Sequence, residues 1–229
     1  MRKAVLFDLG GTLVQYFERS EWPGILGEGI AAVEKYLRSN GLPVPPPEVR
    51  SGRVAEENHE APDYSVRPLE DRLVRIFFAG QHLGERVDAM CRAFMTPVFT
   101  RSLVYEDAVP VLQELRSRGL RLGIVSNTTW GSPASLWREE VARHGLTPLV
   151  DAVVFCRDCG WRKPARPIFD LAMSQVAATP AECLFVGDDP RWDIAGPRAL
   201  GMDAVLIDRS LPSASSDAIP SLLDLLPRL

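Results

Sequence analysis

The sequence predicts an α/β protein: a Rossmann-like, doubly wound parallel sheet of about five strands with an inserted α-helical cap domain. Five short apolar runs without polar alternation are spread along the chain, as expected for strands that are covered on both faces. Helical patterns separate the last four of these runs, which is typical of a parallel sheet built from strand–helix repeats. A long stretch after the first run contains helical patterns and no convincing strand.

The elements of the sheet domain can be placed approximately. The five strands are predicted over residues 4–8, 121–126, 152–155, 183–187 and 203–207. Helices are predicted over residues 107–118, 133–144, 167–177 and 193–200, and a terminal helix over 218–226. Asp107 is a suitable N-cap for the first of these helices, and Gly119 ends it.

The predicted core domain comprises residues 1–14 and 101–229, and the predicted cap comprises residues 15–100. A proline-rich connector over 43–47 precedes a weaker predicted helix over 48–60. Three further helical faces are apolar, and they are formed by Leu26, Ile30, Val33 and Leu37, by Leu69, Leu73, Ile76 and Phe77, and by Val87, Met90, Phe94 and Val98. We interpret these faces as core packing. Substrate specificity is expected in the cap, with Trp22, Arg53, Arg67, Arg72 and Arg75 as candidates.

Composition excludes several classes of protein. The chain has 229 residues and a net charge of −4, so it lacks the basic footprint of a nucleic-acid-binding protein. No apolar run approaches the roughly 20 residues that span a bilayer. The N-terminal apolar run resembles a signal peptide, but Asp8 interrupts it and two glycines follow. We therefore expect a cytoplasmic protein without nucleic-acid or membrane partners, either a monomer or a homodimer.

Cys156 and Cys159 form a lone CxxC pair. Such a pair occurs in redox motifs and in halves of zinc sites, but a zinc site needs a second pair of ligands nearby. We expect two reduced cysteines in a strand-to-loop segment.

Carboxylates lie where the predicted strands end. Asp8 ends the first strand, Ser126 ends the second, and Asp188 follows the fourth. Side chains at the carboxyl ends of neighbouring parallel strands converge on one crevice. Asp8 and Asp188 are therefore expected to meet there, with Asp189 or Asp193 nearby. Because clustered carboxylates repel one another, a hard divalent cation with oxygen ligands would stabilise them.

The same crevice offers groups that bind phosphate. Lys163 supplies a compact positive charge. Thr12 and Ser126 supply hydroxyl donors, and the backbone of Gly10 and Gly11 can approach an anion closely. Together with the carboxylates, these groups favour phosphoryl chemistry.

Over essentially its whole length the chain resembles the haloacid dehalogenase-like (HAD) hydrolase superfamily. All four family motifs occur in order, each at a predicted strand end or in the loop that carries the lysine. The matching segments are Asp8-Leu9-Gly10-Gly11-Thr12, Ile124-Val125-Ser126-Asn127, Lys163-Pro164 and Gly187-Asp188-Asp189-Pro190-Arg191-Trp192-Asp193. The helical insertion resembles the mobile cap of the family.

The resemblance implies a role for each matched residue. Asp8 would be the nucleophile that forms an aspartyl-phosphate. Mg²⁺ would be held by Asp8, Asp188 and the carbonyl of Gly10, supported by Asp193 or Asp189. The phosphoryl group would be bound by Thr12, Ser126, Asn127 and Lys163, with Lys163 also stabilising charge in the reaction. The implied function is a magnesium-dependent phosphatase of small phosphorylated metabolites.

Gly10 departs from the family pattern. Phosphatases of the family carry an aspartate there as general acid and base, and a positioned acid or base contributes about 10²–10⁴-fold. Dehalogenases of the family carry an aromatic residue, phosphonate-cleaving enzymes an alanine and P-type ATPases a threonine. A slow phosphatase is therefore expected. The alternatives are carbon–halogen or phosphonate cleavage, the latter with Lys35 as candidate Schiff-base lysine, and a catalytically weak binding or regulatory protein.

Overall fold

The molecule is organised around a parallel sheet with helices on both faces. The computed structural model describes residues 2–17, 21–80, 84, 86–215 and 217–229. The strands are β1 (Ala4–Phe7), β2 (Val14–Gln15), β3 (Leu103–Val104), β4 (Arg121–Ser126), β5 (Ala152–Phe155), β6 (Cys183–Gly187), β7 (Asp203–Ile207) and β8 (Ala218–Ile219). The α-helices are α1 (Trp22–Ser39), α2 (Pro47–Glu57), α3 (Leu69–Phe78), α4 (Arg86–Phe99), α5 (Ala108–Ser117), α6 (Ala134–Arg143), α7 (Cys156–Cys159), α8 (Arg166–Gln175) and α9 (Gly196–Ala199).

The strand order in the main sheet is β5-β4-β1-β6-β7-β8, and every pairing in it is parallel. The first strand thus lies in the middle, between β4 and β6. The predicted α/β class and the doubly wound parallel sheet are confirmed. Each of the five predicted strands lies in this sheet, and β8 adds a sixth.

Alternate side chains of β1 enter two separate apolar clusters. Val5 and Phe7 pack on one face of the sheet, whereas Ala4 and Leu6 pack on the other. This explains the absence of polar alternation in the run, because a strand covered on both faces has no solvent-facing side.

Helices α1–α4 occupy the segment where helices alone were predicted. Helix α1 packs against α4, and α3 packs against both α4 and α2. The contact between α1 and α4 is close at Gly29, where a Cβ atom would lie 2.9 Å from Phe94 Cε2. Of the predicted apolar faces, all residues but Leu26 are buried, and Leu26 is partly buried against the same cluster. The division into a core domain and a cap at residues 15–100 stays a prediction.

The two-stranded antiparallel pair β2–β3 lies at the ends of this helical segment. Val14 pairs with Val104, and Gln15 pairs with Leu103. Residues between Asp8 and α1 are thereby joined directly to residues just after α4.

The predicted terminal helix over 218–226 is wrong. Ala218 and Ile219 form β8 beside β7, with Ile219 fully buried, and a 3₁₀ helix follows over Leu222–Arg228. Pro220 directly follows the strand and has no N–H to donate, and Pro227 lies inside the 3₁₀ segment. The helix predicted over 193–200 is also divided, into a π-helical turn (Pro190–Ala195) and α9.

No described helix has both the length and the hydropathy that a membrane span requires.

Candidate active site

The register of the sheet brings the predicted site residues to one edge. Phe7 pairs with Ile124 of β4 on one side and with Val186 of β6 on the other. Asp8 therefore emerges level with the ends of both neighbouring strands, and its backbone N–H donates to the carbonyl of Val186 at 2.9 Å. The sequence prediction that these strand ends converge agrees with this geometry.

A cleft of about 220 Å³ opens at this edge. Its lining contains nine residues that the sequence nominated, namely Asp8, Gly10, Gly11, Ser126, Asn127, Lys163, Asp188, Asp189 and Asp193. Thr12 is fully buried and is not among the described residues that line the cleft.

Lys163 is the central cation of the cleft. It is 1% exposed, and its Nζ donates to Asp8 Oδ1 at 2.6 Å and to Asp193 Oδ1 at 2.7 Å. Burial favours the neutral amine, but the charges of Asp193 and Asp8 outweigh burial and raise the pKa of Lys163. The side chain is therefore an ammonium ion at neutral pH, bridging the acid after β1 and the acid after β6.

Asn127 fixes the backbone that carries this lysine. The amide N–H of Lys163 donates to Asn127 Oδ1 at 2.8 Å, and Asn127 Nδ2 donates to the Lys163 carbonyl at 3.3 Å. The Lys163–Pro164 peptide is cis. Asn127 directly follows β4, so these two hydrogen bonds tie the lysine loop to the sheet.

Three carboxylates form a compact acidic cluster. One oxygen from each of Asp8, Asp188 and Asp193 lies within 4.8 Å of the other two. Asp193 is 1% exposed, and burial raises its pKa, as does the charge of Asp8, while Lys163 opposes both effects. Three acids against one ammonium leave an excess of negative charge, and an all-oxygen cluster of this kind suits a hard divalent cation.

Two glycines allow these carboxylates to approach the backbone. A Cβ atom on Gly11, whose φ is +75°, would lie 2.5 Å from Asp188 Oδ2. A Cβ atom on Gly187 would lie 2.4 Å from the Cβ and Cγ atoms of Asp193. Neither position can hold a larger residue without moving an acid.

Asp189 has a structural role in the described geometry. Its Oδ1 accepts from the backbone N–H groups of Arg191 at 2.9 Å and Trp192 at 3.1 Å, which caps the π-helical turn. Its own N–H donates to Asp193 Oδ2 at 3.0 Å. Asp189 thus orients Asp193.

The remaining nominated hydroxyls differ in position. Ser126 is buried at the end of β4, and its Oγ donates to the Asn127 carbonyl at a long 3.3 Å. Thr12 Oγ1 has no hydrogen-bond partner among the described residues. The Thr12 carbonyl accepts from Arg209 at 2.8 Å. Ser126 is therefore placed to contact a ligand in the cleft, whereas Thr12 faces the protein interior.

Sequence reasoning missed Tyr16, which lines the cleft beside Gly10. A Cβ atom on Gly10 would meet Tyr16 Cδ2 at 3.5 Å. The Tyr16 hydroxyl is buried without a partner among the described residues, and burial, followed by the charges of Glu140 and Asp8, raises its pKa well above the ordinary value. No sequence signal marks this tyrosine, because its position depends on the two-residue pairing of β2 with β3.

Most arginines proposed for specificity serve the fold of the helical segment instead. Arg67 and Arg75 donate to the Glu57 carboxylate. Arg72 is fully buried and donates to the Glu57 and His59 carbonyls. Arg53 donates to the carbonyl of Ile76 at 3.0 Å, and the Trp22 side chain lies outside the described part of the structure. The partners of these arginines are backbone carbonyls and the Glu57 carboxylate. The charge pattern of the sequence cannot show whether an arginine will contact such groups or a substrate.

Cys156 and Cys159 lie on the short helix α7, and both thiols are free. Cys156 Sγ is buried and accepts from the Thr128 N–H at 3.2 Å. Burial raises the pKa of both thiols, which lowers their reactivity.

Comparison with known proteins agrees with the fold and the site. A family model described as haloacid dehalogenase-like hydrolase matches residues 2–201. A ribulose-1,5-bisphosphate 5-phosphatase of Halopiger xanaduensis is 30% identical over 234 residues, covering 96% of this chain and 90% of that protein. A phosphoserine phosphatase of Thermus thermophilus is 33% identical over 138 residues, covering 60% of this chain and 53% of that protein. The crystal structure of a HAD phosphatase from Thermococcus onnurineus superposes with a TM-score of 0.68 at 26% identity, covering 99% of this chain and 97% of that one.

A Rossmann-like sheet with an aspartate after its first strand, a buried lysine and an acidic pair after β6 defines a hydrolase of the HAD type. The chain belongs to the haloacid dehalogenase-like hydrolase family, and the predicted family and enzyme class are confirmed.

Proposed function

We propose that this enzyme is a magnesium-dependent phosphatase of small phosphorylated metabolites that acts through an aspartyl-phosphate. The observation that carries the proposal is the bridge from Lys163 Nζ to Asp8 and Asp193, with Asp188 in the same acidic cluster. Two of the similar proteins are named as phosphatases of small metabolites. As the sequence predicts, we expect the enzyme to act in the cytoplasm.

The donor set fits magnesium. Asp8, Asp188 and the carbonyl of Gly10 would hold the ion, with Asp193 in support, because Mg²⁺ prefers oxygen ligands and binds through few carboxylates. When bound, the ion would neutralise the negative charge that phosphate and carboxylates bring together. Asp189 is left out of this proposal because its Oδ1 caps the π-helical turn.

Each protein group has a distinct part in the proposed reaction. The Asp8 carboxylate attacks phosphorus, so that an oxygen–phosphorus bond forms while the bond to the ester oxygen breaks. Lys163 orients Asp8 through its hydrogen bond to Oδ1 and stabilises charge on the phosphoryl oxygens. The Ser126 hydroxyl and the Asn127 amide bind the same phosphoryl group at the end of β4. Water then attacks the phosphorus of the aspartyl-phosphate, which releases inorganic phosphate and restores the Asp8 carboxylate.

Gly10 provides no acid for the departing ester oxygen. The leaving group must then carry its negative charge with less help than in a phosphatase with an aspartate at this position. We therefore expect slow turnover of alkyl phosphates and faster turnover of aryl or acyl phosphates.

The acidic cluster favours this activity over carbon–halogen cleavage, because a metal-free dehalogenase has no need of Asp188 beside Asp8. Phosphonate cleavage is also disfavoured. Its candidate Schiff-base lysine, Lys35, is exposed on α1 and is not among the described residues that line the cleft.

The experiment is a screen of phosphorylated metabolites and haloacids with the purified protein, with Mg²⁺ and with a chelator. The Asp8→Asn variant is the matched control for contaminating phosphatases. Release of phosphate that needs both Mg²⁺ and Asp8 supports the proposal. Metal-independent release of halide would replace it with the dehalogenase function, and binding of metabolites without turnover would favour a regulatory role.

A further inference from the structure

A second and larger cavity adjoins the catalytic cleft. Its volume is about 830 Å³. It shares Phe17, Asn127, Thr129, Asp189 and Trp192 with the cleft, so a molecule held at Asp8 can extend into it. The rest of its lining combines the apolar ring of Trp130 and the side chain of Thr128 with polar and charged groups. These groups are Asn58, His59 and Glu60 from the connection after α2, and Arg162 and Arg191 from the loops of the sheet domain.

Arg162 is a buried cation whose Nε–H group donates no hydrogen bond to the described residues. The residue is 8% exposed, and its Nε has no hydrogen-bond partner among the described residues. The nearest carboxylate oxygen is Glu60 Oε2 at 3.5 Å, which is longer than the roughly 2.7–3.2 Å of an ordinary N–H···O hydrogen bond. That oxygen already accepts from Arg72 at 3.0 Å. Leaving a charged donor buried without a hydrogen bond is costly even beside a carboxylate, so an additional acceptor at this position would stabilise it.

A second guanidinium lines the same cavity. Arg191 Nη2 donates to the Tyr64 hydroxyl at 2.5 Å, and its Cζ lies 5.4 Å from the centre of that ring. In the described part of the chain, no carboxylate lies within ion-pair distance of Arg191. The carbonyl of Tyr64 also accepts from the Arg162 N–H at 2.8 Å. A single residue therefore positions both arginines.

The lining of this cavity also contains two carboxylates, which could offset the positive charge of the two arginines. Asp189 is engaged as the cap of the π-helical turn, and Glu60 is engaged with Arg72. Neither forms a short pair with Arg162 or Arg191. The planar fork of an arginine matches a carboxylate or phosphate through two parallel hydrogen bonds.

We propose that Arg162, assisted by Arg191, binds a second anionic group of the substrate. This inference rests on the proposed phosphatase function. It narrows the substrate class to phosphate monoesters that carry a carboxylate or a second phosphate away from the scissile group. The scissile phosphate lies at Asp8, and the distal anion lies in the adjoining cavity.

Matched substrate pairs test the proposal. The first pair is 3-phosphoglycerate and glycerol 3-phosphate, which differ in the distal carboxylate. The second is ribulose 1,5-bisphosphate and ribulose 5-phosphate, which differ in the distal phosphate. We expect kcat/KM to favour the anionic member of at least one pair by about 10-fold or more, and the pair that responds identifies the anion. Equal kcat/KM values within both pairs would overturn the proposal.

Three variants separate binding from a structural role. Arg162→Gln should reduce the preference for the distal anion by about 10-fold, mainly through KM. Glu60→Gln removes the carboxylate nearest Arg162 and should increase that preference. Arg166→Gln, an exposed arginine that pairs with Asp170 on α8, should leave the ratio unchanged. A loss of stability alone would lower turnover of both members of a pair together, so an unchanged ratio in Arg162→Gln refutes the subsite.

A binding measurement keeps this test independent of turnover. Calorimetric titration of the Asp8→Asn protein with 3-phosphoglycerate and with ribulose 1,5-bisphosphate reports the subsite even if no substrate is hydrolysed. Tighter binding of either ligand than of its matched partner supports the subsite. If the Asp8→Asn/Arg162→Gln double variant binds that ligand more weakly, the subsite is assigned to Arg162. Distal-anion binding without hydrolysis by the wild-type protein would contradict the phosphatase function alone.

Discussion

Replacing Gly10 by aspartate would add a carboxylate beside the proposed nucleophile at a position where the backbone can accept a side chain. Gly10 is not among the residues with positive φ. A Cβ atom there would lie 3.5 Å from Tyr16 Cδ2 and 3.7 Å from Tyr16 Cε2, which is ordinary van der Waals contact. The substitution should therefore fold without backbone strain.

The expected gain is for substrates with poor leaving groups. A well-positioned general acid contributes about 10²–10⁴-fold, but the new side chain would lack hydrogen bonds that fix its rotamer. We expect a gain of about 10-fold or more for an alkyl phosphate, which corresponds to about 1.4 kcal/mol of barrier. Nearby Asp8 and Asp193 should raise the pKa of the new carboxyl group, and this favours the protonated form that donates to the leaving oxygen.

The assay compares glycerol 3-phosphate with p-nitrophenyl phosphate in single-turnover and steady-state experiments. The wild type should prefer the aryl ester strongly and show a burst or a trapped phosphoenzyme, because no base activates the water. Gly10→Asp should narrow the difference between the two esters. Gly11→Asp is the matched control, since its Cβ would lie 2.5 Å from Asp188 Oδ2, and it should lose activity on both.

Equal wild-type rates for the two esters, with chemistry shown to be rate-limiting, would refute the reasoning from Gly10. Another group would then supply the proton, and Tyr16 would be the first residue to replace, because its hydroxyl is buried and unpaired among the described residues beside this position.

Three further predictions follow from the geometry. Asp8→Asn preserves an oxygen that can accept from Lys163 and should reduce turnover to background while circular dichroism and melting temperature stay near the wild type; turnover at the wild-type rate would exclude nucleophilic catalysis by Asp8. Asp188→Asn should raise the Mg²⁺ concentration for half-maximal rate, measured by titration of chelated enzyme, and an unchanged titration curve would remove Asp188 from the metal site. Asp107 is partly buried, which opposes ionisation, but hydrogen bonds from Arg209, Ser221 and the Leu222 backbone N–H outweigh this effect and lower its pKa. A lowered folded-state pKa stabilises the protein above the unfolded-state value of about 4, and this stabilisation is lost as the pH falls through the folded-state pKa. Asp107→Asn should therefore reduce the free energy of unfolding at pH 7 by about 1–3 kcal/mol, with a smaller difference below pH 4 in urea titrations; a difference independent of pH would contradict the assignment.

The sheet could be predicted from sequence because its strands are buried on both faces. The runs at 121–126, 152–155, 183–187 and 203–207 coincide with β4, β5, β6 and β7, since short apolar runs without polar alternation are typical of strands covered on both faces. The convergence of Asp8 and Asp188 was predicted from the general rule that the carboxyl ends of neighbouring parallel strands meet at one edge of the sheet.

The features that were missed depend on contacts between distant segments. The two-residue strand β8 is too short to leave a periodic pattern, and the apolar residues around it suggested a helix. From sequence, the arginines of the helical segment were candidates for substrate contacts. Their hydrogen bonds to groups such as the Glu57 carboxylate depend on how the helices pack. Arg162 lies next to Lys163 in the sequence, but its burial and the missing hydrogen bond at its Nε among the described residues are properties of packing.

Gly11 and Gly187 also affect how other sequences should be judged. In a related sequence, an aspartate at a strand end can be replaced by another residue with an oxygen ligand, and an aspartate can also occur there by chance. An acidic residue at that position is therefore weak evidence of a shared metal site. The two glycines have no such substitutes, since any side chain would occupy the volume of Asp188 or Asp193. A chain that keeps its acids but has alanine at either position must arrange its carboxylates differently. Such a chain should not be assumed to share this enzyme's chemistry.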